Sequence, residues 1–175
     1  SPELDAKVDY RLAGVGRAYG PPTGFPGAQL RLYEQVSPMR FEDRTQARGL
    51  EVLTQGTQVP VGKALGLAVD DVDGDGDLDL LVANDTVRKF LFVNDGQGRF
   101  AESGIAAGFA FDRVGSATGA MGIDTGDLRR DGSTYVGIGN FANQPSGLYG
   151  TPKGTLRFSD DAIVEGISAA TRPFL

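Results

Sequence analysis

The sequence predicts an all-β chain built of repeated four-stranded antiparallel units. Three observations carry this: a segment that recurs about every 57 residues, short apolar runs parted by turn residues, and glycine at 26 of 175 positions. That glycine content is about twice the ~7% of average proteins and, with 9 prolines, implies many tight turns and short strands. A fixed period of this length means stacked supersecondary units.

The segment ALGLAVDDVDGDGDLDLLVAN at 64–84 aligns with AMGIDTGDLRRDGSTYVGIGN at 120–140, pairing Gly66 with Gly122, Asp71 with Asp127, Asp75 with Asp131 and Gly76 with Gly132. A second element follows each, KFLFVNDGQGRFAESGIAAGF at 89–109 and GLYGTPKGTLRFSDDAIVEGI at 147–167, and LRLYEQVSPMRFEDRTQARGL at 30–50 precedes both. Each runs from an aromatic-aliphatic stretch through a polar turn to Arg-Phe and an acidic residue. The chain therefore divides into an irregular N-terminal connection (1–29), the outer half of one unit (30–61), a complete unit (62–118) and a second complete unit (119–175).

Within the complete unit, apolar runs at 64–69, 78–83, 89–94 and 99–102, bounded by Gly, Asp and Asn, predict four successive strands. The run Asn94, Asp95, Gly96, Gln97, Gly98 supplies a turn tolerant of positive φ. A four-stranded antiparallel sheet at regular spacing is a β-propeller blade, so the prediction is a partial ring of about three blades. A β-sandwich with two accidentally similar hairpins is the alternative.

The formal charge of −6 and pI of 4.6 disfavour nucleic acid, which needs clustered Lys and Arg, and favour cations or neutral partners. No apolar run approaches the ~20 residues of a membrane span. Without Cys or His the chain has no disulfide, no thiolate nucleophile and no imidazole base or ligand. Carboxylate-pair hydrolysis and chemistry assisted by a hard metal stay open.

DVDGDGDLD at 71–79 is the most specific chemical signal. Ca²⁺ takes six to eight oxygens, which alternate carboxylates on a tight loop supply. The spacing assigns side-chain ligands to Asp71, Asp73 and Asp75, a backbone carbonyl to Asp77, and a closing carboxylate to Asp79, with Gly76 permitting the turn. It is not an EF-hand: the twelfth position is Val82, where that motif needs Glu, and strand-like runs flank the loop. Clustered carboxylates repel without a cation, so binding should couple to folding. The second copy keeps Asp127, Asp131 and Gly132 but has Arg129 and Tyr135 at two ligand positions. It should bind Ca²⁺ weakly or not at all, with Arg129 or Arg130 expected among Asp127 and Asp131 as a built-in charge.

Three lesser signals remain. Gly14, Gly16 and Gly20 imitate a dinucleotide fingerprint, but Pro21 and Pro22 forbid the helix it requires. Asn84, Asp85 and Thr86 match an N-glycosylation acceptor of a kind frequent by chance. Tyr33, Phe90, Phe92, Phe100, Phe141, Tyr149 and Phe158 are expected to pack between blades.

GLAVDDVDGDGDLDLLVANDTVRKFLFVNDGQGRF, MGIDTGDLRRDGSTYVGIGNF, LYGTPKGTLRFSD and ATRPFL resemble the FG-GAP or VCBS repeats of integrin-like propellers, in the cartilage acidic protein and UnbV-like branch. The resemblance implies a seven-bladed propeller, secreted or periplasmic, with Ca²⁺ held by Asp71, Asp73, Asp75, Asp77 and Asp79 and other surfaces binding a protein or carbohydrate ligand. About three blades cannot close such a ring, so further blades or further copies are implied, and Pro173, Phe174 and Leu175 fall where another blade would begin. Two functions follow: a non-catalytic binding module with a structural ion, or an enzyme or enzyme-complex component, as in UnbV-like proteins associated with enediyne biosynthesis.

Overall fold

The computed structural model describes residues 11–14, 16–17, 22–141 and 143–172. Masses of short antiparallel strands dominate, as the turn-rich sequence requires. β1 (Arg11–Leu12) and β2 (Gly16–Arg17) form a small hairpin, followed by a 3-10 turn at Pro22–Gly24. Gly20 and Pro21, part of the fingerprint-like stretch, lie outside the described residues, as do Pro173, Phe174 and Leu175.

β3 (Tyr33–Ser37) and β4 (Arg40–Asp43) form the next hairpin. A four-stranded antiparallel sheet follows in the order β5 (Ala64–Asp70), β6 (Asp79–Asn84), β7 (Phe90–Asn94), β8 (Phe100–Glu102). A second repeats it: β9 (Ala120–Gly126), β10 (Thr134–Asn140), β11 (Gly147–Thr151), β12 (Ser159–Asp160). The chain is thus nearly all-β, made of partial propeller blades. The short helix α1 (Ile167–Thr171) was not foreseen.

Two apolar layers hold the sheets face to face. Alternation along a strand sends successive side chains to opposite faces. Leu81, Ala83 and Leu91 face one way and meet Val136, Ile138 and Tyr149 of the second sheet. Val82, Phe90 and Phe92 face the other way and meet Leu50 and Val52, which follow the first hairpin. β5 and β9 approach so closely that a Cβ on Gly66 would lie 3.0 Å from Ile123 Cγ2. Beside the first hairpin the described residues supply no inner strands, leaving an apolar groove of about 360 Å³ lined by Leu30, Leu32, Leu65, Leu67 and Phe92.

Phe90, Phe92, Tyr149 and Phe158 are buried in these layers, as expected, and Phe100 packs against the Leu50 layer. Tyr33 and Phe141 are instead 58% and 63% exposed: Tyr33 lies on a two-stranded hairpin with no further sheet over it, and Phe141 follows the end of β10. Asn84 is fully buried, its Oδ1 accepting from the Lys63 N–H and its Nδ2 donating to the Arg88 carbonyl. Its repeat partner Asn140 does the same work, accepting from Thr118 and donating to the Pro145 carbonyl. The sequon is therefore a structural asparagine, inaccessible to glycosylation in the folded chain.

Lys89 is buried between the sheets, with Nζ 4.7 Å from the Tyr149 ring centroid and 6.0 Å from that of Phe109. Among the described residues Nζ has no hydrogen-bond partner. Burial pushes its pKa from 10.5 down to about 8, against the pull of Asp112 and Asp160. A depressed folded-state pKa on an amine means that stability rises as pH goes from about 8 to about 10.5, because the native state releases its proton first. Lys89→Met, which removes the buried charge at similar volume, is expected to raise stability at pH 7 by about 1–3 kcal/mol. Urea unfolding of parent and variant at pH 7 and pH 10 checks this, since the difference between them should shrink at the higher pH.

Candidate metal centre

The acidic loop connects β5 to β6, the two strands that carry the inner part of the first complete sheet. Strand pairing brings Asp70 opposite Asp79, so the loop closes as a hairpin with acidic residues at its neck. Asp71 organises the turn: its Oδ1 accepts from the N–H groups of Gly74 (2.8 Å) and Asp75 (3.1 Å), and its Oδ2 from Gly76 (3.0 Å). Asp73 Oδ1 accepts from Asp75 N and Asp75 Oδ1 from Asp77 N, so the backbone is bound to the carboxylates residue by residue.

Asp79 differs from the rest in being 1% exposed. Its Oδ1 accepts from Asn94 N (2.8 Å) and its Oδ2 from Val72 N (3.1 Å), tying the loop to the turn end of β7. Burial raises its pKa from 3.8 to about 6, outweighing those two hydrogen bonds, and the negative charges of Asp73 and Asp75 push the same way. Asp73 is also raised, first by burial and then by Asp75 and Asp71. Both shifts come first from burial and second from the neighbouring carboxylates.

One carboxylate oxygen from each of Asp71, Asp73 and Asp79 lies within 4.8 Å of the other two. A Ca²⁺ ion binds oxygens at 2.3–2.6 Å, so two of its ligands stand at most about 5 Å apart, and this triad falls inside that limit. The carboxylates of Asp75 and Asp77 stand outside the triad. Asp75 is exposed, and Asp77 Oδ2 lies against Gly96, 2.5 Å from where a Cβ on that glycine would sit. The loop also reaches the neighbouring sheet: a Cβ on Gly74 would lie 3.5 Å from Gly154, in the turn between β11 and β12.

The second loop repeats the scaffold without the cluster. Asp127 accepts from Asp131 N and Gly132 N, and Asp131 from Ser133 N, matching the bonds of Asp71 and Asp75 except the one from Gly74 N. Contrary to expectation, no arginine is seated among these carboxylates. The Arg129 guanidinium pairs with Glu165 at 2.7 Å and lies 5.4 Å from the Tyr135 ring centroid, attracting Asp131 only through space. Arg129 and Tyr135 occupy the positions of Asp73 and Asp79, so a cation–π pair stands where two carboxylates of the triad stand in the first loop.

A family model described as an FG-GAP-like repeat matches residues 71–138, from the acidic loop to the middle of β10. No curated protein matches the chain. The match supports an FG-GAP-like repeat over this stretch, which contains a possible metal-binding acidic group at Asp71, Asp73 and Asp79.

Asp79 and Asp73 are separable by experiment. Asn at position 79 removes the buried charge as protonation does, so in EGTA Asp79→Asn is expected to raise stability at pH 7 and to change it little at pH 4. Asp73→Asn keeps its acceptor oxygen and should change metal-free stability by less than about 0.5 kcal/mol. The raised pKa of Asp79 also gives the metal-free parent a sign: stability is greatest below pH 3.8 for this group and is lost as pH rises through about 6. Denaturation midpoints in EGTA between pH 4 and pH 7 check both, and the Asp79→Asn variant should lose that slope.

Proposed function

We propose that this chain is a calcium-binding β-propeller module, non-catalytic, in which one Ca²⁺ stiffens a blade and its seam with the next while outer surfaces bind a protein or carbohydrate partner. The observation that carries the reading is the convergence of three carboxylate oxygens, from Asp71, Asp73 and Asp79, on a loop that touches the adjoining sheet. Asp75 and the backbone carbonyl of Asp77 complete the set in this reading, with water filling the remaining positions.

An anionic, all-oxygen set suits a hard cation and gives nothing to a soft one. Ca²⁺ fits better than Mg²⁺ because a flexible set of mixed carboxylate and carbonyl oxygens tolerates irregular geometry, whereas Mg²⁺ demands near-ideal octahedra. The segments 30–61, 62–118 and 119–175 then serve as blades of a seven-bladed ring of the integrin-like kind, in the cartilage acidic protein and UnbV-like branch. An extracellular or periplasmic location accords with this, since extracellular Ca²⁺ modules work at affinities of about 10⁻⁴–10⁻³ M.

Thermal unfolding with Ca²⁺ and with EGTA tests the reading, beside an Asp73→Ala, Asp75→Ala double variant. At 100 times the dissociation constant a ligand of the native state contributes about 2.7 kcal/mol. For a chain of this size that is a rise in midpoint of about 5–10 °C. The parent should show it and the double variant should not; a parent midpoint indifferent to Ca²⁺ would discard the ion site.

A further inference from the structure

The two internal seams share one joint. After each outer strand the chain makes a turn that ends in a left-handed glycine, and the outer strand of the next unit lies directly on it. In the first seam Phe100 N donates to Arg48 O at 2.8 Å, and Gly49 has φ +81°, with a Cβ there falling 2.2 Å from Phe100 O. In the second, Phe158 N donates to Ala107 O at 2.7 Å, and Gly108 has φ +77°, with a Cβ falling 2.7 Å from Phe158 O. Each docking strand carries Arg-Phe: Arg99 and Phe100, then Arg157 and Phe158.

Among the described residues a third copy of each half stands unjoined. Glu165 and Gly166 follow β12 in the register of Arg48 and Gly49, with Gly166 at φ +74° and nothing within 4 Å of a Cβ. The sheet face beside it is open: a Cβ on Gly137 or Gly139 would meet nothing, and Leu128, Tyr135 and Leu148 line a shallow groove of about 210 Å³. At the other end of the chain, Arg40 and Phe41 occupy the register of Arg99 and Phe100 on β4, and Phe41 is 59% exposed.

We propose that the Gly166 turn of one copy receives the β4 strand of a second copy, repeating the internal joint between chains. The partner's Phe41 N–H donates to the Glu165 carbonyl, its carbonyl passes over Gly166, and its ring covers Ile167, which is half-buried against Tyr135, Leu148 and Ala162. Arg40 and Arg44, which share Glu42 within the chain, approach Asp160 and Asp161, while Glu165 keeps its pair with Arg129. Because the two surfaces are different patches of one chain, the contact is head-to-tail and each copy keeps a free end. The joint is independent of the metal site.

Sedimentation velocity of the full 175-residue chain tests this, in Ca²⁺ and in EGTA alike. Gly166→Asn retains the left-handed turn, which Asn tolerates, but places a Cβ where the partner's carbonyl must pass. Phe41→Glu removes the ring from the other end. The parent should show a sedimentation coefficient that rises with concentration, and each variant alone should stay at 18.4 kDa. An equimolar mixture of the two variants, which together retain one intact head and one intact tail, should form dimers and nothing larger. Far-ultraviolet circular dichroism confirms that both variants are folded. A parent that remains monomeric overturns the proposal and assigns the face to a blade of a different chain; so does a variant that still assembles alone, or a mixture that does not.

Discussion

Burial of a sheet on both faces is the constraint on which the rest of this structure depends. Strands β6 and β7 carry apolar residues in both directions, Leu81 and Leu91 one way and Val82, Phe90 and Phe92 the other. Such a sheet cannot be stable alone, because one face would stay in water whichever way it turned. Neighbouring units supply the two covers, and the backbone joint at Gly49 and Gly108 fixes how they are set down. The joint is a single hydrogen bond with no room for a side chain, so it specifies position more than it adds stability. The layers of Phe, Leu and Tyr supply the latter.

That division of labour explains the acidic loop. Its shape is held by carboxylates accepting backbone N–H groups, and the second loop reproduces most of those bonds at Asp127 and Asp131 with no acidic cluster among the described residues. The turn geometry is therefore common to both loops and the acidic triad is not, with Asp71 belonging to both. Asp71 and Asp75 shape the first hairpin as Asp127 and Asp131 shape the second, whereas Asp73 and Asp79 bring two further carboxylates to Asp71 in the first copy alone. Asp79 joins the two systems, since it is buried beneath the loop and bonded to Val72 and Asn94.

The repeat was legible in the sequence because each unit reuses the same register. The four strands foreseen at 64–69, 78–83, 89–94 and 99–102 differ from β5 to β8 by a residue or so at an end. Asp71, Asp73 and Asp79 were legible as a cluster from alternate spacing alone. What escaped was decided by neighbours remote in sequence. Arg129 turns to Glu165, which lies 36 residues away, in preference to the adjacent Asp127 and Asp131. Tyr33 and Phe141 look like core aromatics until one asks what lies over them. Helix α1 is five residues long, below any periodic signal, and is held by Thr171 accepting from Ser146 N.

The enzyme reading is weakened by what the remaining carboxylates are doing. A cavity of about 270 Å³ lies between the sheets' edges, with Asp112, Asp160 and Tyr149 among its walls and Lys89 close behind them. Two acids, a phenol and a low-pKa amine would be the materials of proton-transfer chemistry. Yet Asp112 Oδ1 accepts from Val114 N and Ser116 N, and Asp160 accepts from Arg113 N and Ala162 N, so both acids are engaged in closing turns. Tyr149 is held in its neutral form by burial, and the Lys89 amine is covered by the Phe109 and Tyr149 rings. The two acids therefore shape turns beside the seam between sheets, while the Lys89 charge is a cost that the packing of the rings around it must offset.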